Sequence, residues 1–361
     1  MMSLNKVSLE KHLGPLLFRS DTSTLPTEEM LAAMSCAKLG DDGYKDDPTV
    51  NTLEELGASI VGKEASLFVP SGTMGNLIAL MVHGSRGKEM IVGKDSHVLL
   101  SEQGGFSAIA GLIPKVIPLD LGVVDPEEVG KNVRKKDPKN PDTGLIWLEN
   151  THNLSGGTIT PLEVIDQVGQ VAQSFGVSLH MDGARIFNAS VELGIPASRL
   201  VKAVDSVMFC LSKGLSAPVG SILAGSKHFI LEARKVRKLL GGGMRQAGVL
   251  AAAGIVALEK MIGRLKEDNE NARLLANSIF DLPGLKIDLD TVQTNMVYFD
   301  LSEIGVSSQQ FANGFKEYGV VVSTRPPSKI RMVTHRHILQ TDVIETAEKF
   351  RAYWQELLKS K

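Results

Sequence analysis

The sequence predicts an α/β fold: a large domain with a mostly parallel sheet flanked by helices, followed by a smaller C-terminal α+β domain. Short apolar, strand-like runs alternate with segments of helical spacing through about the first 260 residues. Beyond that point the alternation gives way to a long charged helical segment. A length of 361 residues also exceeds that of a typical single domain.

Each predicted element follows from its own pattern. Residues 48–61 are predicted as a helix because Val50, Leu53, Leu56 and Ile60 share one face. Pro161 is expected at the first position of a helix that runs to Ser174. Further helices are predicted at 28–39 and 73–83, and strands at 66–69, 90–92, 116–119, 145–148, 177–181, 206–211 and 219–224.

The change of pattern places a domain boundary between residues 259 and 263. Residues 263–279 have the composition of a long charged helix, and apolar runs follow at 285–288 and 296–299. We therefore predict an N-terminal segment, 1–26, that contributes to the site and to the small domain. The large domain then spans 27–260 and the small C-terminal domain 261–361.

Composition excludes several classes of function. Hydrophobic residues make up 43% and charged residues 22%, as in ordinary globular proteins. The net charge of −2 offers no basic field for nucleic acid or an anionic membrane. No apolar run reaches the ~18 residues that a membrane span needs. Cys36 and Cys210 lie among apolar residues and are expected to be reduced and buried. With a poor targeting signal at the N-terminus, this predicts a cytoplasmic location.

Two reactive residues each follow a predicted strand. Asp182 follows the strand at 177–181, and Lys213 follows the strand at 206–211. A lysine amine condenses with an aldehyde to form a Schiff base, and a carboxylate keeps a pyridine nitrogen protonated. Either residue alone would more often be an ordinary strand-end aspartate or surface lysine. Together with the glycine-containing turn described next, the pair favours an enzyme that uses pyridoxal phosphate.

A strand, a tight turn and a helix start meet at residues 69–75. Gly72 lets the backbone approach an anion, Ser71 and Thr73 offer hydroxyl groups, and the free N–H groups of the helix are partly positive. A plain helix cap is the alternative for this turn. Three glycines at 241–243 precede Arg245, whose guanidinium is suited to phosphate oxygens. For that segment the alternative is a glycine-rich connection with a solvated arginine.

His97 follows the predicted strand at 90–92, where its ring can lie on the face of a pyridine ring. The alternative is a hydrogen-bonded surface histidine. His152 also follows a strand, and whether it faces the same pocket stays open. His12 and His83 are expected to be structural or solvated, and His180 is expected to lie in the core. A role for His335 and His337, which follow Arg331 closely, stays open.

These residues lie in motifs that resemble those of the low-specificity L-threonine aldolases, a family of fold-type I pyridoxal-phosphate enzymes. The matching segments lie between about residue 18 and residue 337, so the resemblance covers nearly the whole chain. They are 18–22 (FRSDT), 40–44 (GDDGY), 46–49 (DDPT), 70–73 (PSGT), His97, 148–152 (LENTH), 181–185 (MDGAR), 211–215 (LSKGL), 241–246 (GGGMRQ) and 330–335 (IRMVTH).

The resemblance implies a cofactor and a set of roles. Pyridoxal 5'-phosphate is the cofactor, bound by the large domain, with Lys213 as the Schiff-base lysine and Asp182 as the partner of the pyridine nitrogen. The phosphate is cupped by Ser71, Gly72 and Thr73, and His97 stacks on the ring.

The resemblance also implies a substrate site and an assembly. Ser20, Arg185 and Arg331 hold the substrate carboxylate and the ring oxygen of the cofactor. Arg245 reaches the phosphate of a neighbouring subunit, because the family is typically a homotetramer, a dimer of dimers with shared active sites. The catalytic residues are then Lys213, His97 and Asp182, and no metal ion is expected.

The reaction implied is retro-aldol cleavage of L-threonine, L-allo-threonine or a related β-hydroxy-α-amino acid to glycine and an aldehyde. This places the enzyme in threonine catabolism and glycine biosynthesis. Some members carry a second histidine shortly before the LENT segment, whereas residues 136–143 contain none. His97 is therefore the first choice to act on the hydroxyl proton, with a water or the cofactor phosphate as alternatives.

Two other functions remain open on the same sequence. A β-eliminating lyase or an aminotransferase would share the scaffold. A phenylalanine or tyrosine at position 97 would favour these functions, and the residue there is histidine. A non-catalytic binding protein would have lost Lys213 or Asp182, and both are present.

Overall fold

The structure is a computed structural model and describes residues 14–135 and 138–359. Within these ranges the strands are β1 (Leu16–Leu17), β2 (Ala65–Val69), β3 (Glu89–Gly93), β4 (Ile113–Ile117), β5 (Thr143–Glu149), β6 (Ser178–Asp182), β7 (Ser206–Cys210), β8 (Ser221–Gly225), β9 (Met296–Asp300), β10 (Val320–Val321), β11 (Ser323–Arg325) and β12 (Lys329–Val333).

The α-helices of the same ranges surround these strands. They are α1 (Glu28–Ser35), α2 (Pro48–Ile60), α3 (Gly72–His83), α4 (His97–Leu100), α5 (Gly105–Ala108), α6 (Pro126–Asn132), α7 (Leu162–Phe175), α8 (Ile186–Leu193), α9 (Ala197–Leu200), α10 (Lys227–Leu239), α11 (Gly248–Val256), α12 (Leu265–Ile279), α13 (Ser308–Glu317) and α14 (Gln340–Lys359). A π-helical stretch, Ala257–Met261, continues α11.

The central sheet has seven strands in the order β2-β8-β7-β6-β5-β3-β4. Every neighbouring pair is parallel except the two pairs that involve β8. Helices cover both faces, and β3, β7 and β8 are therefore nearly continuous apolar runs with buried side chains. The predicted large domain with a mostly parallel sheet is confirmed.

Parallel strands bring their carboxyl ends to one edge of the sheet. Glu149 at the end of β5 is in register with Asp182 at the end of β6, and β7 ends beside them at Cys210. Ligands of open α/β sheets bind at this edge, because the loops that follow the strands converge there. The fold therefore places the loop that carries Lys213 next to Asp182.

The smaller C-terminal domain contains a three-stranded antiparallel sheet in the order β11-β12-β9, packed with α12, α13 and α14. Its apolar residues form a core cluster separate from that of the large sheet, and Phe18 belongs to this cluster. β1 pairs in parallel with β10, which joins the N-terminal segment to the small domain. The exact division of the chain at residues 26 and 260 stays a prediction.

Several predicted bounds differ from the structure. α1 ends at Ser35 rather than at residue 39, and Pro161 is the cap of α7 rather than its first residue, because its ψ of 144° is extended. β4 begins three residues before the predicted strand, and residues 285–288 form only a single bridge, Lys286 to Asp300. Cys210 is buried as expected, but the prediction is wrong for Cys36, which is exposed.

Some predictions fall outside the part of the chain that the structure describes. His12 lies among residues 1–13, and residues 136 and 137 belong to the segment that contains no histidine. Among the described helices, none is both long and apolar enough to cross a membrane.

Candidate active site

A cavity of about 240 Å³ lies at the carboxyl edge of the central sheet. Seven of the residues predicted from the sequence line it: Ser71, Gly72, Thr73, His97, Asp182, Arg185 and Lys213. A shallower depression of about 750 Å³ lies at the opposite edge, near the starts of β6 and β7. Its charged residues include Arg199 and Asp166, which pair with each other at the surface. We place the active site in the smaller cavity because the reactive groups converge there.

Lys213 lies in the loop between β7 and β8 and is half-buried. Its backbone carbonyl accepts a hydrogen bond of 2.8 Å from the Thr24 hydroxyl, which fixes the loop against the N-terminal segment. Among the residues that the structure describes, none forms a hydrogen bond or an ion pair with the Lys213 amine. An amine that faces a cavity without a partner is suited to attack an aldehyde.

Asp182 ends β6 and is 3% exposed. Its Oδ1 accepts from the backbone N–H of Ala184 at 3.1 Å, and its Oδ2 accepts from Nδ2 of Asn76 at 2.8 Å. These two donors fix the plane of the carboxylate. A fixed, buried carboxylate in the cavity is the group that a pyridinium N–H requires as its partner.

The turn after β2 forms the start of α3. Ser71 is the N-cap, and its Oγ accepts from the backbone N–H of Met74 at 3.2 Å. A Cβ on Gly72 would lie 3.0 Å from Sγ of Cys210 and 3.2 Å from Cε of Met208, so only glycine fits there without movement. The helix cap and the anion site are therefore compatible, since the remaining N–H groups of the first turn stay available for phosphate.

His97 is the first residue of α4 and lines the cavity. Its Nδ1 lies 2.8 Å from Oε1 of Glu102, and its backbone N–H donates to Oε2 of Glu149 at 2.6 Å. Burial disfavours the charged ring, but the hydrogen bond to Glu102 and the charges of Asp182 and Glu149 outweigh burial and raise the pKa of His97.

Arg185 lines the cavity and is held by Asp21 from the N-terminal segment. Its Nε and Nη2 donate to the two carboxylate oxygens of Asp21 at 2.6 and 2.7 Å. Burial opposes the charge of Asp21, but the guanidinium holds the pKa of that carboxyl well below its usual range. The Nη1 group takes no part in this pair, so Arg185 keeps donors for an anionic ligand.

Arg331 on β12 is 7% exposed and does not line the cavity. It reaches the cavity wall through Asn153, whose Oδ1 accepts from Nη1 at 2.8 Å, and Nη2 donates to the carbonyl of Arg19 at 3.2 Å. Burial and the charge of Arg185 lower the pKa of Arg331, an effect that the phenol of Tyr298 opposes. Two guanidinium groups in mutual proximity favour the binding of a carboxylate.

Two other predicted residues do not line the cavity. Ser20 caps a short turn, with its Oγ accepting from the backbone N–H of Thr22 at 3.2 Å. The Arg245 side chain is 59% exposed at the surface and lies 3.6 Å from Asp41. The Ser20 hydroxyl also donates to Oδ1 of Asp21 at 3.4 Å, so it contacts the partner of Arg185. No hydrogen bond or ion pair joins Arg245 to the described residues that line the cavity.

Four other histidines have structural partners. His152 is buried against Ser155, 2.9 Å away, and does not line the cavity. His180 is in the core, as predicted, and shares the hydroxyl of Ser206 with His83, each at 2.7 Å. The solvated alternative for His83 is therefore wrong, because α3 packs its end against the sheet. His335 contacts the carbonyl of Leu17 at 2.8 Å and takes part in holding the N-terminal segment.

Sequence reasoning gave no role to several polar residues of the cavity, among them Asn76, Glu102 and Glu149. Asn76 is a polar residue on the buried face of α3, beside Ile78 and Ala79, and such a position is itself a signal of function. Glu149 directly ends a strand at the same edge as Asp182. Glu102 follows no strand and shares no pattern, so nothing in the sequence identified it.

The ligand atoms of His97, Glu102 and Asp182 lie within 4.8 Å of one another, which is close enough for a metal ion. The carboxylate oxygens of this cluster already accept hydrogen bonds from Asn76, the backbone N–H of Ala184 and His97. The donor set fits an organic cofactor better, because an unpartnered lysine amine, a fixed carboxylate and a helix N-terminus correspond to an aldehyde, a pyridinium and a phosphate.

Comparison with known proteins agrees with this site. A family profile described as β-eliminating lyase matches residues 18–302. "Low-specificity L-threonine aldolase 1" of Arabidopsis thaliana is 46% identical over 92% of this chain and 94% of its own length. "Low specificity L-threonine aldolase" of Escherichia coli (strain K12) is 39% identical over 93% and 98%. The solved threonine aldolase of Leishmania major matches the fold with a TM-score of 0.79 at 16% identity, covering 94% of this chain and 100% of that one.

Fold and site together define a lyase of the fold-type I class whose cofactor is pyridoxal phosphate. Within that class, the chain belongs to the β-eliminating lyase family and, inside it, to the low-specificity L-threonine aldolases. The family resemblance seen in the sequence motifs is confirmed.

Proposed function

We propose that this protein cleaves L-threonine and L-allo-threonine between Cα and Cβ to give glycine and acetaldehyde. The proposal includes related β-hydroxy-α-amino acids, which would release other aldehydes. The observation that carries it is the convergence of the free Lys213 amine, the fixed Asp182 carboxylate and the His97 ring on one cavity. Relatives named for this activity align over nearly the whole chain, which supports the proposal.

Pyridoxal phosphate, when bound, supplies an aldehyde for amines and a ring that accepts the electron pair of the broken bond. The Lys213 amine would hold the cofactor at its aldehyde carbon, the atom that the amine of the substrate would then bind. The Asp182 carboxylate keeps a proton on the pyridine nitrogen and so keeps the ring electron-poor. The N-terminus of α3, with Ser71 and Thr73, binds the phosphate.

The substrate carboxylate is assigned to Arg331, Arg185 and Ser20. Of these three, Arg185 lines the cavity, and Arg331 reaches the cavity wall through Asn153. A guanidinium binds a carboxylate through two parallel hydrogen bonds and fixes rotation about Cα. By fixing this rotation, the clamp would select the Cα–Cβ bond for cleavage. The Asn153 amide positions Arg331, because it is the group of the cavity wall that contacts this guanidinium.

His97 accepts the proton of the β-hydroxyl group as the aldehyde leaves. Its ring lines the cavity, and its Nδ1 is occupied by Glu102, which leaves Nε2 for the substrate. The raised pKa of His97 makes its ring a stronger base toward the hydroxyl proton.

The test is an assay of aldehyde release from each threonine diastereomer, followed together with the visible spectrum of the bound cofactor. We expect equimolar acetaldehyde and glycine from both L-isomers, and none from the Lys213→Ala variant. A holoenzyme with a normal cofactor spectrum that forms no acetaldehyde from any threonine isomer would overturn the proposal.

The matching family profile is described as β-eliminating lyase, and β-elimination is therefore the second candidate function. A β-eliminating lyase would form pyruvate and ammonia from serine, and an aminotransferase would form an oxo acid from the substrate. Either product, formed at the rate expected for acetaldehyde, would favour that candidate.

We further propose that the enzyme is a homotetramer, a dimer of dimers, with Arg245 binding the phosphate in a neighbouring subunit. The exposure of Arg245 and its long contact to Asp41 support this, since the side chain is available to a partner. Roles in threonine catabolism and glycine biosynthesis follow from the proposed reaction. A cytoplasmic location is consistent with the two free cysteines.

A further inference from the structure

Glu102 has no role in the mechanism proposed above, yet it forms hydrogen bonds with two other residues of the cavity, Asn76 and His97. It lies between α4 and α5, and its side chain is 3% exposed. Its Oε1 accepts two hydrogen bonds, one of 2.8 Å from Nδ2 of Asn76 and one of 2.8 Å from Nδ1 of His97. A buried carboxylate is costly unless donors of this kind compensate for the lost water.

Asn76 connects Glu102 to Asp182. Its Nδ2 carries two N–H groups, and the second donates to Oδ2 of Asp182 at 2.8 Å. One amide therefore bridges two carboxylates, and a hydrogen-bonded chain runs from His97 through Glu102 and Asn76 to Asp182. The chain connects the ring that faces the substrate with the carboxylate that faces the pyridine nitrogen.

On the basis of the proposed function, we propose that Glu102 is a positioning residue for His97. Its carboxylate holds the imidazole with the proton on Nδ1, so that Nε2 faces the substrate as the proton acceptor. Through Asn76 the same carboxylate fixes the orientation of Asp182. Among the described residues, none forms a hydrogen bond with Nε2 of His97, which agrees with this assignment.

The charges around His97 support the proposal. The ring is faced by Glu102, by Glu149 at the end of β5 and by Asp182 at the end of β6, and the cations of the same cavity are Lys213 and Arg185. The pKa of His97 is raised by its acidic neighbours against the effect of burial. Burial, opposed by the His97 hydrogen bond and reinforced by the Asp182 charge, raises the pKa of Glu102. Both raised pKa values favour retention of the proton between Nδ1 of His97 and Oε1 of Glu102.

The experiment compares Glu102→Gln with Glu127→Gln in the holoenzyme. Glu127 is a matched control because its side chain is 82% exposed and pairs only weakly with Lys131. The first readout is the titration of His97, followed by nuclear magnetic resonance of histidine-labelled protein and assigned with His97→Asn. In Glu102→Gln we expect the His97 pKa to fall by about one pH unit, because an amide stabilises the imidazolium less than a carboxylate does.

The second readout is kinetic. In Glu102→Gln we expect kcat to fall about ten- to a hundredfold, with KM changed less, and the acid limb of the kcat/KM profile to move to lower pH with the His97 pKa. Glu102→Asp should recover part of both effects, whereas Glu127→Gln should match the wild type. A folded Glu102→Gln protein with an unchanged His97 titration and kcat within twofold would show that Glu102 has no positioning role.

One measurement needs no variant and covers the case in which Glu102→Gln does not fold. The ¹⁵N shifts of neutral His97 in the wild-type holoenzyme report which nitrogen carries the proton. We expect Nδ1–H, and observation of the Nε2–H tautomer would overturn the proposal. Because the titration of His97 and its ¹⁵N shifts do not depend on turnover, a wild-type enzyme that releases no acetaldehyde would refute the proposed function and leave the His97–Glu102 result interpretable.

Discussion

Asp21 and Arg185 form a side-on ion pair, with Nε and Nη2 of the guanidinium 2.6 and 2.7 Å from the two carboxylate oxygens. The pair is buried and joins the N-terminal segment to the cavity, although 164 residues separate its members in the chain. Asn295 of the small domain donates to the same carboxylate at 3.2 Å. Three parts of the chain therefore meet at Asp21.

Asp21→Asn should destabilise the fold because it leaves Arg185 buried without a counter-ion. Breaking a buried pair from one side costs about 3–5 kcal/mol. The free energy of unfolding, measured with urea, should fall by about that amount. Asp166→Asn is the control, because Asp166 forms a similar two-bond pair with Arg199 at the surface and should lose only about 1 kcal/mol or less. Equal losses in the two variants would contradict the assigned role of burial.

Lys213 should carry the cofactor covalently. Purified protein should be yellow, borohydride should bleach the colour, and peptide mapping should find the reduced cofactor on Lys213. Lys213→Ala should lose about three orders of magnitude or more in turnover, because the substrate amine must then condense with the free aldehyde instead of exchanging with a Schiff base. Recovery of the label on Lys202 or Lys235 would refute the assignment.

Asp182→Asn should separate electronic from structural effects. The amide keeps the shape and can still accept from Ala184, but it carries no charge to hold a proton on the pyridine nitrogen. We expect kcat to fall about 10²–10³-fold and cofactor affinity to change much less. The measurements are steady-state kinetics and titration of the apoenzyme with cofactor. A parallel loss in both would make Asp182 a structural anchor.

Arg245 provides a test of the shared site by complementation. Lys213→Ala and Arg245→Ala proteins are each expected to be inactive, and we mix them under conditions that exchange subunits. If Arg245 serves the neighbour, one site of a mixed dimer carries both defects and the other neither, so activity returns in the fraction expected for random pairing. No recovery despite proven exchange, or an active Arg245→Ala protein, would exclude the shared site.

His83 should contribute to the pH dependence of stability. Burial lowers its pKa from 6.5 to about 4, so the unfolded chain binds more protons between these values. Stability from this group is therefore present above pH 6.5 and is lost as the pH falls toward 4. In His83→Gln, the loss of unfolding free energy between pH 7 and pH 5 should be smaller by about 2 kcal/mol. An equal loss of unfolding free energy in wild type and variant would contradict the lowered pKa of His83.

The parts of the site that the sequence predicted were those tied to strand ends. Asp182 and Lys213 each follow a buried apolar run, and parallel strands bring such ends together whatever the rest of the chain does. The direction of each strand was harder to predict from the sequence, and the prediction did not identify β8 as antiparallel. Only ten residues, 211–220, connect it to β7, and a parallel return needs a crossover of about a dozen or more.

Other features depend on packing that no local pattern encodes. The partners of His97 and Arg185 are Glu102 and Asp21, and neither ion pair has a spacing that a sequence reader would recognise. Asn153 directly follows the motif at 148–152, but its contact with Arg331 spans 178 residues and joins the large domain to the small one. Such contacts follow from the final arrangement of the elements and become visible only in three dimensions.

The loop that carries Lys213 is closed at its base by the ladder of β7 and β8. Cys210 is paired with Ser221, the N–H of Leu211 donates to the carbonyl of Gly220 at 3.0 Å, and the buried Ala217 donates back to Leu211 at 3.0 Å. Between Leu211 and Ala217, an inserted residue would have to break this closed ring or expose its buried interior. Changes of length are therefore tolerated less in this part of the lysine loop than in other loops around the cavity, and we expect altered substrate preference to arise from substitutions or from those other loops.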